Sequence, residues 1–111
     1  MFFETFVNSG RFDFIVVVCS GITKEVVLSL KVKNKWRAVH FADAGSERWQ
    51  STLNGTIKAQ NLMNSNDAKV LIHDAVRPML SDRIINECIE CLESYDCIDV
   101  AIPATDTIVE F

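Results

Sequence analysis

The apolar positions of the chain fall into two alternating patterns. Phe14–Cys19 (FIVVVC) is an unbroken, largely β-branched run, the signature of a strand buried on both faces. Ala38–Ala42 (AVHFA), Lys69–His73 (KVLIH) and Ile98–Ile102 (IDVAI) read as further short strands. Between these runs, apolar residues recur at helical spacing. Thr23 is placed to cap a short helix that carries Val26, Val27 and Leu30 inward. From Ser46, a second helix carries Trp49, Leu53 and Ile57 at spacings of four and continues to about Met63. The stretch NSND (64–67) then forms a loop. Ser81 or Asp82 caps a third helix. Its inner stripe is Ile84, Ile85, Cys88, Ile89, Leu92 and Tyr95, and its outer face carries Glu87, Glu90 and Glu93. Ahead of all this, Phe2, Phe3, Phe6 and Val7 mark a leading helix. Asn8-Ser9-Gly10 stops it, with glycine supplying the left-handed cap. The order (α)βαβαβαβ predicts an α/β fold with a mostly parallel sheet covered on both faces.

In an open parallel sheet, ligands bind beyond the carboxyl ends of the strands. That edge collects the polar residues. Ser20-Gly21 follows the first strand, Asp43-Ala44-Gly45-Ser46-Glu47-Arg48 the second, His73-Asp74-Ala75-Val76-Arg77-Pro78 the third, and Pro103-Ala104-Thr105-Asp106-Thr107 the fourth. Gly45 permits close backbone approach, and a helix opening at Ser46 offers N–H groups to an anion or a base edge. Asp74 is a hard oxygen ligand suited to magnesium. Arg77 offers a planar fork to a phosphate. Asp106 and Thr107 suit the hydroxyls of a polyol. Together these point to magnesium-assisted chemistry on a phosphate. The structural alternatives stay open: Asp74 as a turn or cap residue, Arg77 paired with Asp74 or Glu47, and His73 as hydrogen-bonded scaffold.

Composition narrows the partners. The chain has 111 residues, enough for one small domain, with 23% charged residues and a formal net charge of −4. No basic face for nucleic acid is evident. The densest basic run, Lys31, Lys33, Lys35 and Arg37, reads as a solvated turn, with a phosphate-binding patch as the alternative. The longest apolar run is too short to cross a membrane, and the N-terminus lacks a basic leader, so a cytoplasmic location is expected. Cysteines stand at 19, 88, 91 and 97. Cys88 and Cys91 lie on one helix without a second close pair. Free thiols are therefore expected, rather than a zinc site that would recruit Cys97 and His73.

The segments HDAVRP (73–78), GSERWQSTLNG (45–55) and IPATDTI (102–108) resemble the sugar-alcohol phosphate cytidylyltransferases. This family includes the enzymes that act on 2-C-methyl-D-erythritol 4-phosphate and on ribitol 5-phosphate. The resemblance implies a Rossmann-like nucleotidyltransferase fold, CTP and a polyol phosphate as substrates, Mg2+ as cofactor, and release of pyrophosphate. By position, it makes Gly45, Ser46 and Ser51 cytosine-side contacts, with Arg48 in the same motif and Ala75 beside the nucleotide. Asp74 becomes the metal and ribose-side carboxylate. Arg77 and Thr107 contact the polyol phosphate with Asp106 beside them, Asp74 and Arg77 carry catalysis, and His73 supports.

The resemblance also implies a partial nucleotidyltransferase domain over residues 1–111. The family's N-terminal glycine-rich loop and its lysine, and the later segment with a second lysine and a dimer arm, have no counterpart here. The family forms homodimers, but that arm is absent. A marginally stable chain without turnover of its own is expected, and a catalytically silent module is the competing reading. ATDTI leans towards methylerythritol phosphate, the expected substrate. Val109 leans towards ribitol phosphate, the alternative.

Overall fold

The computed structural model describes residues 2–64, 67–74 and 80–100. Helix α1 (Phe2–Ser9) leads into strand β1 (Ile15–Val18), helix α2 (Gly21–Asn34), strand β2 (Val39–Ala42), helix α3 (Arg48–Met63) and helix α4 (Asp82–Cys91). The α1 stop falls where glycine permits it, with Gly10 at φ 66°. The α/β class expected from the alternation is present.

β1 and β2 pair in parallel, Ile15 against Val39 through Val18 against Ala42. Partners in this register share a face, so Ile15, Val17, Val39 and Phe41 point one way and Val16, Val18, His40 and Ala42 the other. The first face meets a core in which Phe6 of α1, Val27 of α2 and Ile85 of α4 are buried, with Leu30, Trp36, Leu71 and Ile89 packed around them. Phe6 meets Phe12 edge-to-face at 5.5 Å. α3 packs against the opposite face. There Gly55 lies so close to Val18 that an added Cβ would sit 2.7 Å from Val18 Cγ2. Both faces of the pair are thus covered, as continuous apolar strands require.

Several details depart from the sequence reading. α2 starts at Gly21, before Thr23, and only Val27 of its expected inner residues is buried; Val26 is 49% exposed. α3 presents Trp49, Leu53 and Ile57 outward, at 61%, 48% and 47% exposure. Its sheet side is the small-residue row Ser51, Gly55 and Ala59, each half-buried. The cause is steric: branched Val16 and Val18 fill that face, and only small helical residues allow close approach. α4 is capped by Ser81, whose hydroxyl accepts the Ile84 N–H at 3.3 Å. It buries Ile85 and Cys88, but it ends at Cys91, so helical spacing no longer carries Tyr95 inward and that ring is 65% exposed.

Residues 69–73 form no strand among the described residues, contrary to expectation. Alternation survives without the ladder: Leu71 packs on the core and His73 meets Phe6 edge-to-face at 5.3 Å, while Val70 and Ile72 are exposed. A strand is assigned by its hydrogen-bonded neighbour, and the described sheet has two strands. The described part of the expected fourth strand, 98–100, also lies outside any strand, and 101–102 fall outside the described residues.

All four cysteines are free, Cys19 and Cys88 buried, Cys91 and Cys97 exposed. Burial raises the Cys19 thiol pKa, with Asp43 adding to it against Lys24; burial, then Cys91 and Glu87, raise Cys88. A thiol reagent at mildly alkaline pH should therefore modify Cys91 and Cys97 quickly and the buried pair only on unfolding. Four equally fast thiols would contradict this burial. At the α3–β1 contact, Gly55→Ala should destabilise the fold. Overpacking costs about 1–3 kcal/mol, against a gain of about 1 kcal/mol in helix propensity. Chemical denaturation measures the balance, and a stabilised variant would mean that α3 does not sit this close.

Candidate active site

The site is built where the chain changes faces. α2 lies on the core side of the β1–β2 pair and α3 on the other, so residues 43–47 cross the carboxyl edge of β2. The crossing is held by side chains of the first two turns of α3. Gly45 N–H donates to Ser51 Oγ at 2.9 Å. Gln50 Oε1 accepts from the Ser46 N–H at 2.8 Å, from the Glu47 N–H at 3.2 Å and from the Ser46 hydroxyl. Asn54 Nδ2 donates to the Asp43 carbonyl at 2.9 Å. A Cβ on residue 45 would stand 2.2 Å from Gln50 Cβ, so glycine is a steric requirement here.

This corrects one sequence expectation. α3 opens at Arg48 with Glu47 as its cap, not at Ser46. The N–H groups of Gly45, Ser46 and Glu47 are taken by Ser51 and Gln50, so they are not standing open to an anion. What Gly45 approaches is its own helix. Gln50 and Asn54, which hold the loop, were not singled out from sequence. The signal for Gln50 was present in its spacing, three residues after the cap, where a Glu or Gln side chain turns back onto the N-cap backbone.

Arg48 Nη2 lies 3.5 Å from Asp74 Oδ2. This contact ties the segment after β2 to the segment after residues 69–73, and it places Gly45, Ser46, Arg48, Ser51 and Asp74 on one edge. Asp74 is partly buried, whereas Arg48 is 81% exposed, so the pair contributes little to stability. The expected pairing of Arg77 with Asp74 or Glu47 falls on a residue outside the described ones, and the Arg48–Asp74 contact was not among the expected pairings. Ala75, Arg77, Asp106 and Thr107 lie outside the described residues. Beside this edge opens a groove of about 440 Å³ between α2 and α3, with Lys24, Asp43, Asn54 and Lys58 on its walls. Lys24 Nζ and Asp43 Oδ1 are 4.0 Å apart across it. On the sheet beneath, His40 packs edge-to-face on Phe14 at 5.4 Å. Burial lowers the His40 pKa, and Lys31 and Lys58 lower it further. Among the described residues no three His, Cys, Asp or Glu side chains gather, and no helix is long and apolar enough to cross a membrane.

A parallel strand pair with helices on both faces, and a polar edge at the carboxyl ends of its strands, defines an α/β protein of Rossmann-like architecture. The family model described as IspD, 2-C-methyl-D-erythritol 4-phosphate cytidylyltransferase, matches residues 2–111, and the chain belongs to that family. It is 51% identical over 65 residues to the bifunctional ribulose 5-phosphate reductase/CDP-ribitol pyrophosphorylase Bcs1 of Haemophilus influenzae, covering 59% of this chain and 13% of the relative. Similarity to the ribitol-5-phosphate cytidylyltransferase of Lactiplantibacillus plantarum is 32% identity, covering 96% of this chain and 46% of that protein. The 2-C-methyl-D-erythritol 4-phosphate cytidylyltransferase of Clostridioides difficile is 35% identical, over 84% of this chain and 38% of its own length. The chain spans less than half the length of these relatives. No solved structure matches it.

Gln50→Ala removes the acceptor shared by Ser46 and Glu47. It should cost about 1 kcal/mol, as loss of a helix cap does. Hydrogen exchange should speed up at residues 46 and 47 while the core amides of β1 keep their protection relative to global stability. Unchanged exchange at 46 and 47 would show that Gln50 does not hold the loop.

Proposed function

We propose that this chain supplies the nucleotide-side part of an enzyme transferring a cytidylyl group from CTP to a polyol phosphate. The observation that carries the reading is the Arg48–Asp74 contact, which joins two of the three family-like segments at one edge. Ser51 uses an oxygen lone pair on Gly45 N–H, so its hydroxyl hydrogen stays available to a cytosine acceptor, O2 or N3. The Gly45 carbonyl is the matching acceptor for the exocyclic amine. Asp74 offers one hard oxygen, which fits Mg2+ because that ion commonly takes one or two carboxylates and fills its shell with phosphate oxygens and water. Bound there, magnesium would neutralise charge on the triphosphate.

In the reaction, a polyol phosphate oxygen attacks the α-phosphorus of CTP. A new P–O–P link forms, and the α–β bridging bond breaks to release pyrophosphate. The nucleophile is already ionised, so His73 need hold no proton, and its packing on Phe6 suits a supporting role. Arg77 and Thr107 are assigned to the substrate phosphate, Asp106 to the polyol, and Ala75 to the nucleotide side. Arg48 competes with the metal for Asp74 and so is assigned to swing to the triphosphate when CTP enters.

Methylerythritol phosphate was the substrate expected from ATDTI. The relatives favour the alternative: those named for CDP-ribitol or ribitol 5-phosphate stand ahead of the one named for methylerythritol phosphate, and one of them matches 96% of the chain. Ribitol 5-phosphate is therefore the substrate proposed.

The test is a chimera in which residues 2–111 replace the matching segment of the Lactiplantibacillus plantarum relative. It should form CDP-ribitol from CTP in preference to the methylerythritol product; the reverse preference would reassign the substrate. In the same protein, Asp74→Asn should lower kcat on the order of 10²-fold, as loss of one preorganised electrostatic group does. Arg77→Ala should chiefly raise KM for the polyol phosphate. Full turnover in both variants would remove these residues from the site.

A further inference from the structure

The basic run Lys31–Arg37 has no part in the reaction proposed, and the structure gives it a second location. A cavity of about 150 Å³ lies at the amino ends of β1 and β2, the opposite end of the sheet from Arg48 and Asp74. Its apolar wall combines the aromatic Phe6, Phe12 and Trp36 with the aliphatic Val7, Ile15 and Val39. Lys35 and Arg37 line the same cavity. Neither forms an ion pair with a described residue, and both are exposed. Their backbones are fixed from either side. The Lys35 N–H closes the end of α2 on the Lys31 and Val32 carbonyls, and Ala38 accepts the Ile15 N–H at 2.9 Å.

Helix termini alone account for part of this charge. The carboxyl end of α2 carries roughly half a negative charge, which Lys31 and Lys33 in its last turn already offset. Lys31 is further engaged over the Phe41 ring at 5.9 Å. Lys35 and Arg37 are therefore surplus positive charge beside an apolar cavity. An apolar cavity of this volume holds one benzene-sized body. A ligand that satisfies both parts has a flat apolar ring and one anionic group.

We infer that this cavity is a binding site for a small aromatic carboxylate, with the ring against Phe6, Phe12 and Trp36 and the carboxylate on Lys35 and Arg37. The guanidinium presents a two-pronged fork to a carboxylate, and the ammonium adds a point charge. The site is independent of the cytidylyl-transfer reading, since it shares no residue with that edge.

Benzoate is the probe. In a Trp49→Phe background Trp36 is the remaining indole of the two, and its emission should change saturably with benzoate, with a dissociation constant on the order of 1 mM for a ligand of this size. The melting temperature should rise over the same concentrations. Benzyl alcohol, with the ring but no charge, and acetate, with the charge but no ring, should each bind roughly tenfold more weakly. Lys35→Gln with Arg37→Gln should weaken benzoate roughly tenfold and leave benzyl alcohol unchanged; each single variant should fall between. A response that does not saturate, equal affinity for the three probes, or benzoate binding unaffected by the double variant would each overturn the inference.

Discussion

The parallel pairing of Ile15–Val18 with Val39–Ala42 is the contact from which the rest of the molecule follows. Parallel strands cannot be joined by a tight turn, so the chain must climb back through a helix, and α2 is that crossover. The register also fixes which residues look which way. It sends Ile15, Val17 and Phe41 into the core shared with Phe6, Val27 and Ile85, and it leaves Val16 and Val18 for α3. Every later element packs on one of those two surfaces.

The candidate site is a by-product of covering both surfaces. After β2 the chain has to pass from the core face to the α3 face, and it does so at the carboxyl edge. A crossing loop carries backbone groups that no ladder satisfies, and here Ser51, Gln50 and Asn54 satisfy them. The result is a loop pinned by side-chain hydrogen bonds, with Arg48 at its end. Because that loop is satisfied internally, what it presents outward is side-chain hydroxyls, carbonyls and charge, not vacant N–H groups. The two ends of the sheet then differ in kind. The carboxyl edge mixes both signs of charge around a polar loop, whereas the amino end sets two cations over an aromatic cavity.

Much of the fold was legible in the sequence. FIVVVC reads as a strand covered on both faces, because a continuous, largely β-branched run has no polar face to give to water, and AVHFA reads as a second short strand. Gly10 announced its turn, and Ser81 or Asp82 announced α4, because both act through local geometry that needs no partner; the structure takes Ser81 as the cap. Segments 45–55 and 73–78 identified the family by residue type and spacing. Gln50 was legible in principle and went unread, since its role is set by distance along the helix.

Other features depended on what lies opposite. Trp49, Leu53 and Ile57 make the stronger apolar stripe on α3, yet Ser51, Gly55 and Ala59 face the sheet, because helix rotation was decided by the room that Val18 leaves. KVLIH alternates as a strand does, but a strand is a relation between two segments, and among the described residues none is laid beside it. Asp74 meets Arg48, 26 positions away in the chain. Sequence determines what each segment can present. Which face is buried and which charges meet are set by neighbours distant along the chain, because packing and Coulomb attraction act through space.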